Sequence, residues 1–308
     1  MTVREEVSSV FARPGLPSFD YVRPGTPDEV VGLLEEHGKA AQLMMGGTDL
    51  FVRMRQGDIR PKIVVDVKHV PGMRDVIYGE QIGLAVGAAA TMNQVAGHPD
   101  VQAHYPLLAE AANSVASYQV RNRATIGGNL CNASPCADTS PAILALEGQV
   151  ALYGPNGERA LPASDFFLGP GETVLQPGEF LTAIRFPAPP PGSVGKYLKL
   201  GRARAGDLAL VGVAVFGFPD EMAGSGYRFR IALGSVAPVP LRALEAEAVL
   251  ASHPPGEEAF ELAAQRAMEA SAPIDDVRGG AAYQKAMVRA LTLRGLRQIW
   301  GQLARREE

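Results

Sequence analysis

Cysteine is nearly absent. The 308 residues include only Cys131 and Cys136, too few to ligate an iron–sulfur cluster through four thiolates, so any such cluster coupled to this chain belongs to another polypeptide. The simplest reading of the pair is two small, reduced loop residues; a redox role would require an electropositive setting. Histidine is sparse too. The five, at 37, 69, 98, 104 and 253, follow no metal-ligand spacing.

Long apolar runs are also missing. The longest, 208–218, is about half of what a membrane-spanning helix needs, and the first twenty residues carry acids and no sustained apolar core, unlike a secretory signal. A cytoplasmic location is the expectation. A net charge of −4 and a pI near 5.8 provide no basic field for nucleic acid. No G-x-x-x-x-G-K-S/T loop is present and no G-x-G-x-x-G opens a βαβ unit, which excludes the common triphosphate and Rossmann sites. Without a G-x-S-x-G elbow or a cysteine–histidine pairing, no catalytic nucleophile is expected.

What the chain does have is two glycine pairs in polar settings. The composition, 46% hydrophobic and 20% charged, is globular, and the length suits two or three domains. At 118–141 the sequence YQVRNRATIGGNLCNASPCADTSP concentrates basic residues, hydroxyls, an amide, a carboxylate and the pair Gly127 and Gly128. A second pair, Gly46 and Gly47, ends an apolar run in LMMGGTDL at 43–50. Adjacent glycines let consecutive backbone N–H groups approach an anion without interference from a Cβ. Two such turns, each with a threonine close by, suit the two phosphates of a dinucleotide; a strand-to-helix turn and a tight loop turn are the plain alternatives.

In chain order, a strand is expected at 19–23, then a helix opened by Thr26 with Pro27 and Glu29 in a capping box and closed by Gly38. Strands follow at 41–45, 62–67 and 81–88. Thr91 opens a short helix, 100–117 reads as one longer helix, and Pro141 starts an apolar helical turn. Asn156-Gly157 marks a hairpin between 149–153 and 158–161, with a further strand at 180–186. PAPPPG at 187–192 reads as a stiff linker. Beyond it, strands near 196–200, 208–218 and 227–233 precede helices in 241–251, 257–270 and 283–303, an α+β arrangement with one sheet covered on one face.

MGGTDL at 45–50, ATIGGN at 124–129, ASPCAD at 133–138, the Phe166, Phe167 and Gly169 element and KLGRARAGDLA at 199–209 together resemble the FAD-binding medium subunit of the molybdenum hydroxylases, the group of xanthine dehydrogenase and aerobic carbon monoxide dehydrogenase. The resemblance covers nearly the whole chain. It implies an α+β fold: a two-subdomain FAD-binding fold of the vanillyl-alcohol-oxidase/p-cresol-methylhydroxylase type (1–60 and 61–187), then a C-terminal α+β domain (193–308) with an antiparallel sheet and helices. It also implies non-covalent FAD and residues that contact it. Leu43, Met44, Met45, Gly46, Gly47, Thr48, Asp49 and Leu50 would wrap the diphosphate and ribityl; Thr125, Gly127, Gly128, Asn129, Cys131 and Asp138 would contribute from the second loop. Val174 or Leu175 would face the isoalloxazine, and Lys199 would approach it from the C-terminal domain. Asp138 would accept hydrogen bonds from hydroxyl or ring N–H groups, its alternative being a helix cap; for Lys199 the alternative is a solvated surface lysine. Some relatives place an aromatic residue ten positions before the Thr125 equivalent, where this chain has Val115.

The implied role is electron transfer in an oxidoreductase complex: electrons arrive from two [2Fe-2S] clusters on a small subunit, downstream of a large molybdenum-cofactor subunit, and leave to NAD, oxygen or a quinone. Two copies of each subunit would form a heterohexamer. No long insertion stands between 67 and 105, unlike relatives that carry an extra cluster there. The rival readings are a self-sufficient FAD-dependent reductase of the same fold and a cofactor-free assembly protein.

Overall fold

The computed structural model describes residues 15–203 and 206–306. The signal-free reading of the first residues, and Arg204 and Ala205 of the 199–209 motif, lie outside the described residues. The chain opens with a small parallel sheet of β1 (Asp20–Val22), β2 (Ala41–Met44) and β3 (Ile63–Asp66), in the order β1-β3-β2. Every residue of β3 is buried, as expected of a central strand covered on both faces. The boundary expected after residue 60 would cut this strand away from its two neighbours; the sheet ends after Asp66.

Helix α1 (Pro27–His37) starts as its sequence predicts, with the Thr26 hydroxyl accepting from the Glu29 N–H. The Glu29 carboxylate reaches the Gly25 N–H at 2.6 Å instead of closing the box on Thr26. After β2 the chain turns through the first glycine pair into α2 (Leu50–Gln56), which a left-handed Gly57 terminates.

The second sheet is antiparallel, β4-β5-β10-β6-β7, built from β4 (Val76–Gly79), β5 (Gly83–Gly87), β6 (Gln149–Gly154), β7 (Gly157–Pro162) and β10 (Phe180–Phe186). A small ribbon, β8 (Phe167–Gly169) with β9 (Glu172–Thr173), precedes the last of these. Pro155 and Asn156 form the two-residue β6–β7 turn, and Gly157, at φ +87°, starts β7 in a conformation that favours glycine.

Six short helices stand between β5 and β6: α3 (Met92–Gly97), α4 (Pro99–His104), α5 (Pro106–Ser114), α6 (Tyr118–Arg121), α7 (Ile126–Cys131) and α8 (Thr139–Ala145). The single helix expected at 100–117 is broken at Tyr105, because Pro106 offers no N–H and disfavours helical backbone in the residue before it. The break turns Tyr105 inward, where its hydroxyl donates to the Pro187 carbonyl.

The C-terminal part is an antiparallel meander, β11 (Val194–Leu200), β12 (Val211–Pro219), β13 (Tyr227–Gly234) and β14 (Leu241–Arg242), followed by α9 (Leu244–Ser252), α10 (Glu257–Ala270) and α11 (Ala281–Leu303). One covered face was expected; both are covered. Val211, Val213 and Val215 join the core beneath the C-terminal helices, while Ala214, Phe216 and Phe218 join the N-terminal core beside α5 and α8. Alternation along β12 therefore glues the two halves through one strand, and this explains why 208–218 is the longest apolar run.

Two close approaches fix the loops that matter later. A Cβ on Gly46 would collide with the Arg123 carbonyl oxygen, and one on Gly127 would lie 2.6 Å from Ala88 Cβ. Gly127→Ala is expected to cost about 1–3 kcal/mol of stability by overpacking. Gly32→Ala, in the exposed interior of α1 with open space around it, is expected to add roughly 0.5–1 kcal/mol; urea denaturation of both variants checks the opposite signs.

The segment before β10 is pinned by Arg159, which donates to both oxygens of Glu179 and to the Val174 carbonyl. The guanidinium holds the Glu179 carboxyl below its ordinary value. A depressed folded-state pKa stabilises above the unfolded value, near 4.5, and this contribution disappears as the pH falls through the folded value. Glu179→Gln is therefore expected to flatten the fall in stability as the pH drops below about 4.5, measured by denaturation across the acidic range.

Candidate functional site

One cavity of 610 Å³ lies where the two N-terminal sheets and the start of the C-terminal meander meet. Fourteen of the seventeen expected site residues line it: Leu43, Met44, Met45, Gly46, Gly47, Thr48, Asp49, Leu50, Thr125, Gly128, Asn129, Cys131, Asp138 and Leu175. Gly127, Val174 and Lys199 stand behind its walls. A volume of this size is in the range that takes a small molecule or cofactor.

The first glycine pair makes the anion-seeking wall. Gly47 takes φ +76°, and the N–H groups of Gly46, Gly47, Thr48 and Asp49 donate to no acceptor among the described residues. Free N–H groups leading into a helix start create positive potential without a formal charge. The loop is held from behind: Lys68 Nζ donates to the Met45 carbonyl at 2.9 Å and pairs with the buried Asp66 at 2.6 Å, and Asp66 also accepts from the Tyr21 hydroxyl.

The second pair behaves differently. Gly127 and Gly128 lie inside α7, and their N–H groups are already engaged, with the Ala88 carbonyl at 2.9 Å and the Thr125 hydroxyl at 3.2 Å. The Asn129 N–H bonds to the Thr125 carbonyl. This loop is thus a capped helical turn and offers no open row of donors. Its role is close packing, with Gly127 against Ala88 and Arg123 beneath Gly46. It turns the Asn129 side chain to the cavity, with Oδ1 accepting from the Thr139 hydroxyl at 2.6 Å.

Asp138 is 6% exposed and makes no cap bond to α8. Its carboxylate accepts from the Tyr197 hydroxyl at 2.9 Å and from Lys199 Nζ at 2.8 Å. Burial pushes the Asp138 carboxyl up, opposed by the Lys199 ammonium and then by the Tyr197 hydroxyl. Lys199 also donates to the Ser114 carbonyl at 3.1 Å, so its ammonium bridges two walls and is not a solvated surface cation. Burial pushes the Cys131 thiol to about 12, which keeps it neutral. Cys136 lines the cavity with its sulfur accepting from Arg278 Nη1 at 2.6 Å.

Several lining residues had no signal of their own in the sequence. Ala116 sits at φ +43°, unusual for a residue with a Cβ; its carbonyl accepts from the Gly206 N–H and from Arg121, which also holds the Val115 carbonyl. Arg121 therefore braces the wall instead of facing an anion. Gly206, Asp207 and Leu208 close the cavity from the C-terminal side, and they do belong to the 199–209 motif. The Asp207 carboxyl, held to about 2 by Arg202 and by backbone N–H groups, accepts from the Arg202 and Ala203 N–H groups. Arg53 and Val115 also line the cavity.

Comparison with known proteins identifies the family. Residues 17–189 match the model of the FAD binding domain in molybdopterin dehydrogenase, and residues 196–299 match the CO dehydrogenase flavoprotein C-terminal domain. The chain is 38% identical to the carbon monoxide dehydrogenase medium chain of Hydrogenophaga pseudoflava over 94% of its own length and 99% of that protein. It is 30% identical to a putative xanthine dehydrogenase FAD-binding subunit of Escherichia coli K12, over 88% and 92% of the two chains. Among solved structures, carbon monoxide dehydrogenase from Hydrogenophaga pseudoflava superposes with a TM-score of 0.88, covering 94% of this chain and 99% of that one at 38% identity. Quinoline 2-oxidoreductase from Pseudomonas putida 86 gives 0.86 at 28% identity, covering 94% and 99%. The chain belongs to the molybdenum hydroxylase family as an FAD-binding medium subunit.

Proposed function

We propose that this chain is the electron-relay subunit of a cytoplasmic molybdenum hydroxylase. It stands between iron–sulfur clusters on a small partner and an acceptor such as NAD, oxygen or a quinone. The observation that carries the reading is the row of free N–H donors from Gly46 to Asp49 in a cavity that also holds a buried carboxylate at Asp138. The donor row suits a diphosphate and the carboxylate suits hydroxyl or ring N–H groups, so the residues present fit FAD. Bound there, FAD supplies the exchange between single-electron and paired-electron transfer.

In this reading the 43–50 stretch wraps the diphosphate and ribityl, with Lys68 fixing its entry. Thr125, Gly128 and Asn129 form the second wall, with Cys131 beside them, and Gly127 sets the spacing of that wall. Leu175 reaches the cavity where Val174 is held back by Arg159. Lys199 acts through Asp138. In this reading FAD is bound non-covalently and can dissociate; among the described residues the cavity lining holds no histidine. The expected partners are a large molybdenum-cofactor subunit and a small subunit with two [2Fe-2S] clusters, two of each completing a heterohexamer. The sheets support a first FAD-binding unit ending after Asp66, a second ending near 187, and a C-terminal unit from 193.

The test is the visible absorption spectrum of the purified chain before and after adding FAD. Flavin bands that survive gel filtration and leave only on denaturation are expected. Asn129→Trp should lose the flavin and keep the far-ultraviolet circular dichroism of the parent; normal flavin content in that variant refutes the site. A wild-type chain that stays colourless favours the assembly-protein reading, and turnover by the chain alone favours the self-sufficient reductase.

A further inference from the structure

The Asp138 carboxylate is held by groups from outside the loop that carries it. Tyr197 and Lys199 are two residues apart on β11 and so project to the same face of the strand. Each takes one oxygen, Tyr197 on Oδ1 and Lys199 on Oδ2. Room for the phenol is built into the sheet: a Cβ on Gly212, in the adjacent strand β12, would lie 2.6 Å from the Tyr197 oxygen. Tyr197 is 7% exposed and does not line the cavity, whereas Asp138 does. The nearby ionisable groups are accounted for as well. Cys136 is bonded to Arg278, and Glu110 on α5 is bonded to Lys196 and to the Tyr197 N–H.

We propose that Tyr197 is a positioning residue that keeps Asp138 ionised and aimed into the cavity, so that the C-terminal domain sets the reduction potential of FAD bound between the N-terminal loops. The inference rests on the FAD reading of that cavity. A buried carboxylate loses hydration, and each donor that replaces water favours its charged form. The Lys199 ammonium is shared with the Ser114 carbonyl, so among the described residues the phenol is the only donor committed to Asp138 alone. Remove it, and one oxygen of a nearly buried carboxylate has no partner and the neutral acid is favoured. A negative charge at a cofactor site opposes the arrival of electrons, so its loss makes reduction easier.

The experiment is a spectroelectrochemical titration of FAD bound to the full-length chain, at one fixed pH, for wild type and variants. Tyr197→Phe keeps the ring in the core and is expected to shift the midpoint potential upward. Asp138→Asn should shift it upward further, and adding Tyr197→Phe to Asp138→Asn should produce no additional change. Gly212→Ala, which pushes the hydroxyl off Asp138 and leaves the tyrosine in place, should reproduce the Tyr197→Phe shift. A purely structural tyrosine would alter flavin content or stability and leave the potential where it was. The inference is overturned by an unchanged potential in flavin-loaded Tyr197→Phe, by the same shift with and without Asp138, or by loss of flavin from Tyr197→Phe and Gly212→Ala when Asp138→Asn retains it. A wild-type chain that takes up no FAD overturns the underlying reading first, and this inference with it.

Discussion

The architecture depends on backbone meeting backbone where two N-terminal loops touch. Gly46 lies against the Arg123 carbonyl and Gly127 against Ala88, at separations that leave no space for a methyl group. Those contacts bring the end of a parallel strand and the start of a short helix to the same cavity, although the strand belongs to the first sheet and the helix to the segment between β5 and β6. Glycine's freedom in φ is secondary at these two positions; Gly47, at φ +76°, is where the conformation itself calls for glycine.

The C-terminal domain is more than an appendage to that cavity. The meander shares its central strand β12 between two cores, so the two halves cannot separate without exposing Phe216 and Phe218. From the same sheet β11 sends Tyr197 and Lys199 to Asp138, while the loop after it supplies Gly206, Asp207 and Leu208 to the cavity wall. The packing that joins the domains and the polar contacts that finish the site therefore come from neighbouring strands, and strain in one is transmitted to the other.

Much of this was legible in the sequence because the signals were local. Thr26 with Pro27, Asn156-Gly157 and the apolar run Ile63, Val64 and Val65 of β3 each encode their element within a few residues. The illegible parts depended on partners far along the chain. In the second glycine pair the Gly127 N–H is engaged by Ala88, some forty residues upstream, and the Gly128 N–H by the Thr125 hydroxyl, so a motif that reads as an anion cradle is a packed helical turn. Ala116 at positive φ carries no mark in its own identity, since a carbonyl pinned by Arg121 and by Gly206 imposes that conformation. Pro106 was a local signal, and a helical apolar period ran across it; the missing N–H prevailed.

The cations around the cavity show a consistent pattern. Lys68 holds a carbonyl and a buried carboxylate, Arg121 holds two carbonyls and an amide, and Lys199 holds a carbonyl and Asp138. Each acts from behind the wall. The positive potential available to a diphosphate comes instead from uncharged N–H dipoles of the first glycine turn, with Arg53 as the cation that lines the cavity beside them. Dipoles fixed in the backbone need no counter-ion and do not reorganise as charge builds up elsewhere in the site. A wall of formal charges would bind the phosphates more tightly and would also dominate the field felt across the cavity. With dipoles in front and paired cations behind, Asp138 is the buried one of three carboxylates that line the cavity, beside Asp49 and Asp207, and its two side-chain partners come from the other domain.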